Sequence, residues 1–424
     1  MMARTPTQNA LAAVELMRDG RFAEMGDMFA PQVRALVTAD AIQRGWAAGV
    51  DRYGPVVATG MAVSEAAGPG AVVVRIPVRF QHGEVAVVVS VNNAGWLTGI
   101  QFAAAEAAQP AAPWEAPEYV DVAEFDEKDV TLGAGEFAVP GTLSLPHRPG
   151  PLPAVVLLCG SGPLDRDETI GRNKPFKDLA WGLASRGVAV LRFDKVTYVH
   201  GAKLGKVRGF TATDEYVPAA VAAIQLLREH PAIDSARVFV LGHSLGGTVA
   251  PRVAHAEKSV AGLVILAGGA QPLHWATVRQ ITYLASLEPA AAAAAQPAID
   301  AITAQARRVD SPDLSPQTPA SDLPFGVSAA YWLDLRDYRP AEVAAGLGKP
   351  IFVVQGGRDY QVTVADDLAI WKAGLVGRPD VTIRVYDADN HLFTPGTGRS
   401  TPAEYEPVQH MDPEVVADIA GWLS

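Results

Sequence analysis

Val238-Phe239-Val240-Leu241-Gly242-His243-Ser244-Leu245-Gly246 is the stretch on which the reading of this chain turns. A short apolar run, strand-like in length, ends in Gly-x-Ser-x-Gly, and a helix-forming stretch (245–256) follows directly. A nucleophilic serine needs this arrangement. Its hydroxyl must stand on a sharp, strained strand-to-helix turn, and the flanking glycines remove side chains that would collide there. The turn exposes the hydroxyl and aims a helix N-terminus at it, where developing negative charge is stabilised. Gly-x-Ser-x-Gly alone is a weak signal. The strand before it and the helix after it single out Ser244 as a nucleophile.

Further apolar runs lie on both sides: Ala154 to Cys159, Val188 to Phe193, Leu263 to Leu266, Ile351 to Val354 and Val381 to Tyr386. Their unbroken apolar character fits strands buried on both faces. Helical stretches at about 175–186, 214–229, 364–375 and 413–423 alternate with them. That alternation predicts an α/β fold, a mostly parallel sheet with helices on both faces. Val130 to Val139 and Gly141 to Leu145 read as a hairpin at its start. Residues 272–345 break the rhythm, with helical pattern at Trp275 to Leu287 and Ile299 to Arg308 and a Pro/Ser-rich stretch beyond. An insertion of this kind between two strands is expected to form a helical lid, and its Ala290 to Ala295 run reads as plain helix.

Residues 1–102 read as a separate small α+β domain. Helical periodicity runs through Leu11, Val14, Met17, Phe22, Met25, Met28, Phe29, Val33, Leu36 and Val37, punctuated by Gly20 and Pro31. Strand patterns follow at Val56, Ala71 to Val78, Val85 to Val91 and Trp96 to Phe102, with Asn92-Asn93-Ala94-Gly95 as a hairpin turn. The Ala/Pro-rich residues 103–119 are expected as a linker, leaving 120–424 for the sheet domain and its lid at about 272–345.

The 424 residues are 49% hydrophobic and 19% charged, which is globular composition. A formal net charge of -11 and the lack of any Lys/Arg-rich run argue against nucleic acid and anionic membrane surfaces as partners. A single cysteine, Cys159, rules out an intramolecular disulfide and a zinc site built from several thiolates. Neither a secretory h-region nor an apolar stretch of about 18 residues is visible, so a cytoplasmic protein is expected. No metal or organic cofactor is implied.

A serine nucleophile needs a base and an acid that orients it. In strand–turn–helix nucleophile folds these follow in the order Ser, Asp or Glu, His. Four histidines lie beyond Ser244: His255, His274, His391 and His410. His255 falls in the helix after the nucleophile, His274 opens the insertion and His410 precedes the last helix. His391, in Asp389-Asn390-His391-Leu392-Phe393, follows a strand and lies in a loop able to lean over Ser244. For the acid, Asp359 follows Gly356-Gly357-Arg358 at the end of the Ile351 strand, where Gly-Gly lets the chain turn so that Asp359 reaches toward His391. Asp387 and Asp389 stand too near His391 in sequence, and Asp194 precedes Ser244. Oxyanion donors are expected from the amides of Leu245 and of Ser161, or next best Gly162, in Cys159-Gly160-Ser161-Gly162-Pro163. The Asp165-Arg166-Asp167 run beyond is read as an anchor for that loop, and Asp194-Lys195 likewise as structural support.

With these motifs the chain resembles the α/β-hydrolase fold serine esterases. Gly160 to Asp167, Asn173 to Ala180, Arg192-Phe193-Asp194-Lys195, Tyr331-Trp332 to Pro340 and Asn390 to Phe393 resemble a group of bacterial carboxylesterases, some with a small N-terminal α+β domain of the nuclear transport factor 2-like kind. The resemblance implies a serine carboxylic ester hydrolase acting through an acyl-enzyme on a small or medium-sized acyl substrate. Cys159 and Val196 stand where members have His and often Arg. That departure points to a changed pocket and an acceptor other than water, hence to an acyltransferase or thioesterase as the alternative. A non-catalytic binding protein of the same fold is a third reading, and a homodimer is left open.

Overall fold

The computed structural model describes residues 4–424 apart from 31–33, 35–38, 67–70, 110–113 and 288, with backbone alone at 66, 106, 289–292 and 294. Pro31, Val33, Leu36 and Val37 of the expected helical stripe fall outside the described residues. Internal contacts divide the chain into Met1–Pro113 and Trp114–Ser424. Among the described residues no helix is long and apolar enough to cross a membrane.

The first unit carries α1 (Pro6–Arg18), α2 (Phe22–Gly26), α3 (Ala39–Tyr53) and five strands: β1 (Val56–Thr59), β2 (Val63–Ala66), β3 (Ala71–Phe80), β4 (Gly83–Asn92) and β5 (Leu97–Ala104). Thr5 starts α1 through a capping box with Gln8. Every second residue of β3 is buried, Val74, Ile76, Val78 and Phe80, and they share a core with Met17, Met25, Phe29 and Trp46. This is the alternation of an antiparallel sheet with one covered face. The turn after β4 is closed by Asn92, whose Oδ1 accepts the N–H of Ala94 and Trp96, with Gly95 at φ +83°. Strand β2 was not expected. It is short and carries Ser64 and Glu65, so it has no apolar run to read. Within the stretch expected as a linker, Ala103 and Ala104 complete β5, and Ala108 is buried beside Ala86.

The second unit opens with the hairpin β6 (Phe125–Leu132) and β7 (Val139–Pro146). It continues through β8 (Leu152–Leu158), α4 (Pro175–Ala184), β9 (Ala189–Phe193), α5 (Val196–Leu204), α6 (Ala212–Glu229), β10 (Ile233–His243), α7 (Leu245–Ala256) and β11 (Leu263–Leu266). The insertion holds α8 (Leu273–Ser286), α9 (Pro289–Asp310) and α10 (Ala329–Arg336). Then come α11 (Pro340–Gly346), β12 (Ile351–Gly356), α12 (Ala369–Gly374), β13 (Val381–Tyr386) and α13 (Pro413–Leu423). Helix α5 has no counterpart in the pattern reading, because Val196, Thr197 and Val199 are β-branched and weak helix formers.

The eight strands lie in the order β13-β12-β11-β10-β8-β9-β7-β6. Pairings are parallel except at β7, which runs antiparallel to β6 and β9. Strands β8, β9, β11 and β12 are buried along their whole length. Phe176, Leu179 and Leu183 of α4 and Val415, Val416 and Ile419 of α13 cover one face. Tyr216 and Ile224 of α6, Val249 and Val253 of α7 and Trp371 of α12 cover the other. Helix α11 joins that second layer through Ala341 and Ala344, so the last residues of the expected lid belong to the sheet's cover. Val309, Leu314, Leu323 and Trp332 form a separate small core in the rest of the insertion.

From β8 the chain passes to β9 on one side and returns to β10 on the other. The strand order thus reverses between β8 and β10. A crevice opens at the carboxyl ends of strands at such a point, which is where open α/β sheets bind ligands.

Candidate active site

Ser244 lies at that place, between β10 and α7, with φ 54° and ψ -121°. This is a strained conformation for a residue with a side chain. Its N–H donates to the Leu266 carbonyl at 3.0 Å and its carbonyl accepts from Thr248 N–H at 3.0 Å, so neighbouring elements hold the turn. Two glycines make the turn sterically attainable. A Cβ on Gly242 would stand 2.2 Å from the Gly246 carbonyl oxygen, and one on Gly246 would stand 2.1 Å from that of Leu158. Both obstacles are backbone and cannot move aside. Gly246→Ala is therefore expected to lower stability by about 3 kcal/mol, read as a fall in Tm by calorimetry.

His391 and Asp359 are brought together. His391 Nδ1 lies 2.7 Å from Asp359 Oδ2, and both residues are buried. Asp359 Oδ1 accepts the N–H of Gln361 at 2.7 Å and of Val362 at 3.0 Å, and Gln355 Nε2 donates to Oδ2 at 3.3 Å. With its acceptor sites filled, the carboxylate can hold the ring in one orientation. On the histidine loop, Asn390 Oδ1 accepts from Leu392 and Thr394 N–H. Gly356 and Gly357 do more than let the chain turn at the end of β12. A Cβ on Gly356 would meet the Asn390 carbonyl at 2.5 Å, and one on Gly357 would meet Asp387 Cα at 2.6 Å. Their bare backbones let the acid loop and the histidine loop touch.

The rival histidines are engaged elsewhere. His274 Nε2 pairs with Asp310, His410 Nδ1 with Asp178, and His255 Nδ1 lies by Lys258. Asp389 is buried with neither carboxylate oxygen hydrogen-bonded. Burial, then the nearby Asp412 and Glu414 charges, raises it to about 7.

The loop after β8 abuts Ser244. A Cβ on Gly160 would come within 3.2 Å of Ser244 Cβ. Among the described residues the N–H groups of Ser161, Gly162 and Leu245 have no acceptor, and Ser244 Oγ makes no hydrogen bond. Asp165-Arg166-Asp167 does anchor this loop. Arg166 binds Asp194 and Thr142, Asp165 caps Thr169, and Asp167 bridges Lys174 and Arg192. The Cys159 thiol is buried and donates to the Asp165 carbonyl, and burial pushes its pKa up.

Lys195, read from the sequence as structural support, has its Nζ buried and donates to the Gly160 carbonyl at 2.7 Å and to Tyr216 Oη at 2.8 Å. Three further residues around this loop, Tyr216, Glu168 and His243, have no role in the sequence reading, and Tyr216 donates in turn to the Gly160 carbonyl. Glu168 Oε1 accepts the Gly160 N–H at 2.6 Å and meets His243 Nδ1 at 3.0 Å. The Asp-Lys pair at the end of β9 was the one available signal. Glu168 and His243 are joined only by the fold.

The sheet order and the strand–turn–helix at Ser244 are those of a serine hydrolase with the α/β-hydrolase fold. A family profile described as Hydrolase 4, serine aminopeptidase S33, matches residues 170–394, a span that includes Ser244, Asp359 and His391. The chain belongs to this family. It is 39% identical over 347 residues to Esterase EstD of Thermotoga maritima, covering 81% of this chain and 78% of that esterase. Among solved structures it is similar to Est1E from Butyrivibrio proteoclasticus, at 15% identity over 70% of this chain and 98% of that one, with TM-score 0.45. An esterase of Pyrococcus furiosus is similar at 18% identity over 70% and 91% of the two chains, with TM-score 0.44.

Proposed function

We propose that the protein is a serine carboxylic ester hydrolase acting through an acyl-enzyme on small or medium-sized esters. Ser244 Oγ attacks the acyl carbonyl while His391 Nε2 takes its proton. The amides of Leu245 and Ser161, or next best Gly162, hold the oxyanion. Asp359 keeps the His391 proton on Nδ1 and balances the imidazolium. Collapse expels the alcohol, which receives the proton from His391. Water then attacks the acyl-serine by the same route and frees the acid. The observation that carries this reading is the buried Asp359–His391 pair in a chain whose serine stands on the strained turn. The esterase relative at 39% identity supports ester over other acyl substrates.

Hydrolysis of p-nitrophenyl esters of graded chain length tests it, with p-nitroanilides and added alcohols as comparison arms. Turnover to free acid is expected. Acyl transfer to the alcohol at the expense of hydrolysis would favour the acyltransferase alternative, and no turnover with any ester would favour a binding protein. Cys159 and Val196 are both buried, and water is taken as the acceptor in this proposal.

Helices α8 to α10 are proposed as the lid. Tyr283 of α8 stacks on Tyr360, the residue after Asp359, with ring centroids 4.9 Å apart. Arg279 of the same helix binds Asp366, Asp367 and the Gln361 carbonyl. Tyr283→Ala is expected to raise KM several-fold for long-chain esters and to leave an acetyl ester nearly unchanged. Equal changes for both would place these helices outside substrate selection. A homodimer through the first unit, where Met61 and Val57 are exposed, also belongs to this proposal. Light scattering at the mass of one chain would contradict it.

A further inference from the structure

The residue before the nucleophile is itself a histidine, and the triad leaves it without a task. His243 is buried on all sides. Its Nδ1 meets Glu168 Oε1 at 3.0 Å and its Nε2 meets the His391 carbonyl oxygen at 2.9 Å. A carbonyl oxygen only accepts. Glu168 Oε1 also accepts the Gly160 N–H at 2.6 Å, and as an ionised carboxylate it has only acceptor capacity. A ring held between two such acceptors satisfies both only with a proton on each nitrogen. Glu168 is buried as well, and adopts φ +52°, a strained value that the surrounding contacts maintain.

The consequence is geometric. Gly160 opens the loop that carries Ser161, His243 precedes Ser244, and His391 is on the loop after β13. One acid–base pair therefore touches all three loops on which the proposed chemistry depends. We propose that Glu168 and His243 are positioning residues for the reaction: an imidazolium at His243, clamped between Glu168 and the His391 carbonyl, fixes the oxyanion loop and the histidine loop against the nucleophile turn. This rests on the serine hydrolase reading of Ser244, Asp359 and His391.

The surroundings agree with the charge. Burial lowers the pKa of His243, but the Glu168 carboxylate, the His391 carbonyl and Asp359 together outweigh it, so the net direction is up. The other groups against the ring are Phe176 of α4, Phe393 of the histidine loop and the His391 ring, whose centroid is 4.6 Å away. Lys195 is the nearest cation to the Gly160 end of the array, bound to the Gly160 carbonyl and to Glu215.

Glu168→Gln keeps an acceptor for Gly160 but removes the counter-charge, so the His243 pKa falls. As pH rises the ring sheds a proton and one of its two bonds is lost. The parent is expected to keep a level kcat to well above neutral pH. The Glu168→Gln enzyme is expected to lose about 10- to 100-fold in kcat above roughly pH 7, with KM within about twofold. His243→Gln, which does not titrate, is expected to be slowed at every pH without that alkaline break. A support role in folding alone would lower Tm and leave the shape of the pH profile as in the parent, and that result overturns the proposal. The parent gives a second readout that needs no variant to fold. With [15N]histidine labelling, two ring N–H signals that vanish in His243→Gln should persist to above pH 8. A single ring N–H at His243 at pH 7 overturns the proposal. If Ser244→Ala stayed active, the serine hydrolase reading itself would fall. If Ser244→Ala is inactive but Glu168→Gln tracks the parent's pH profile, only the positioning proposal falls.

Discussion

Ser244→Ala is expected to reduce kcat by roughly 10⁶-fold while the protein unfolds at nearly the same temperature. The kinetic loss follows from the proposed chemistry: without Oγ no acyl-enzyme forms, and only binding and oxyanion stabilisation remain. The small effect on stability follows from the contacts. The hydroxyl makes no hydrogen bond among the described residues, while the backbone N–H and carbonyl that hold the turn to Leu266 and Thr248 are unaffected. Alanine accepts the strained φ of 54° no worse than serine, so the change in stability should stay within about 0.5 kcal/mol. Purified variant and parent compared by ester turnover and calorimetry give both numbers. A variant that has lost activity because it no longer folds would argue that the turn depends on the hydroxyl.

Asp359→Asn should cost about 10⁴-fold in kcat with little change in fold. The Gln361 and Val362 amides donate to Oδ1, so an asparagine keeps its oxygen there and presents its amide nitrogen to His391 Nδ1. That nitrogen donates. His391 must then accept on Nδ1 and carry its proton on Nε2, the wrong tautomer for the proposed base. Loss of kcat with an unaltered rate of substrate binding is the expected pattern. A variant retaining more than about a tenth of the parent's kcat would show that another carboxylate, Asp389 being the nearest in sequence, orients the ring.

The parts of this site that could be read from the sequence are those whose requirements are local. A strand, two glycines, a serine and a helix lie within a few residues, so Ser244 stands out, and chain order then narrows the proposed base and acid to His391 and Asp359. The strand rhythm was equally legible, because fully buried parallel strands are unbroken apolar runs. What escaped reading depends on distant segments meeting. Glu168 and His243 are 75 residues apart, and nothing in either stretch refers to the other. Gly356 and Gly357 looked like turn residues, but the need for them arises where two loops touch. Helix α11 resembled lid because it lies at the end of the insertion, and only its packing with α7, through Ala341 and Ala344, assigns it to the sheet's cover.

The most direct test is to label the parent protein with a fluorophosphonate, digest it and locate the adduct by mass spectrometry while following loss of ester hydrolysis. One phosphonylated peptide, modified at Ser244, is expected, with inactivation proportional to labelling. A fully inactivated protein modified at another serine, or one that hydrolyses esters undiminished with Ser244 fully modified, would contradict it.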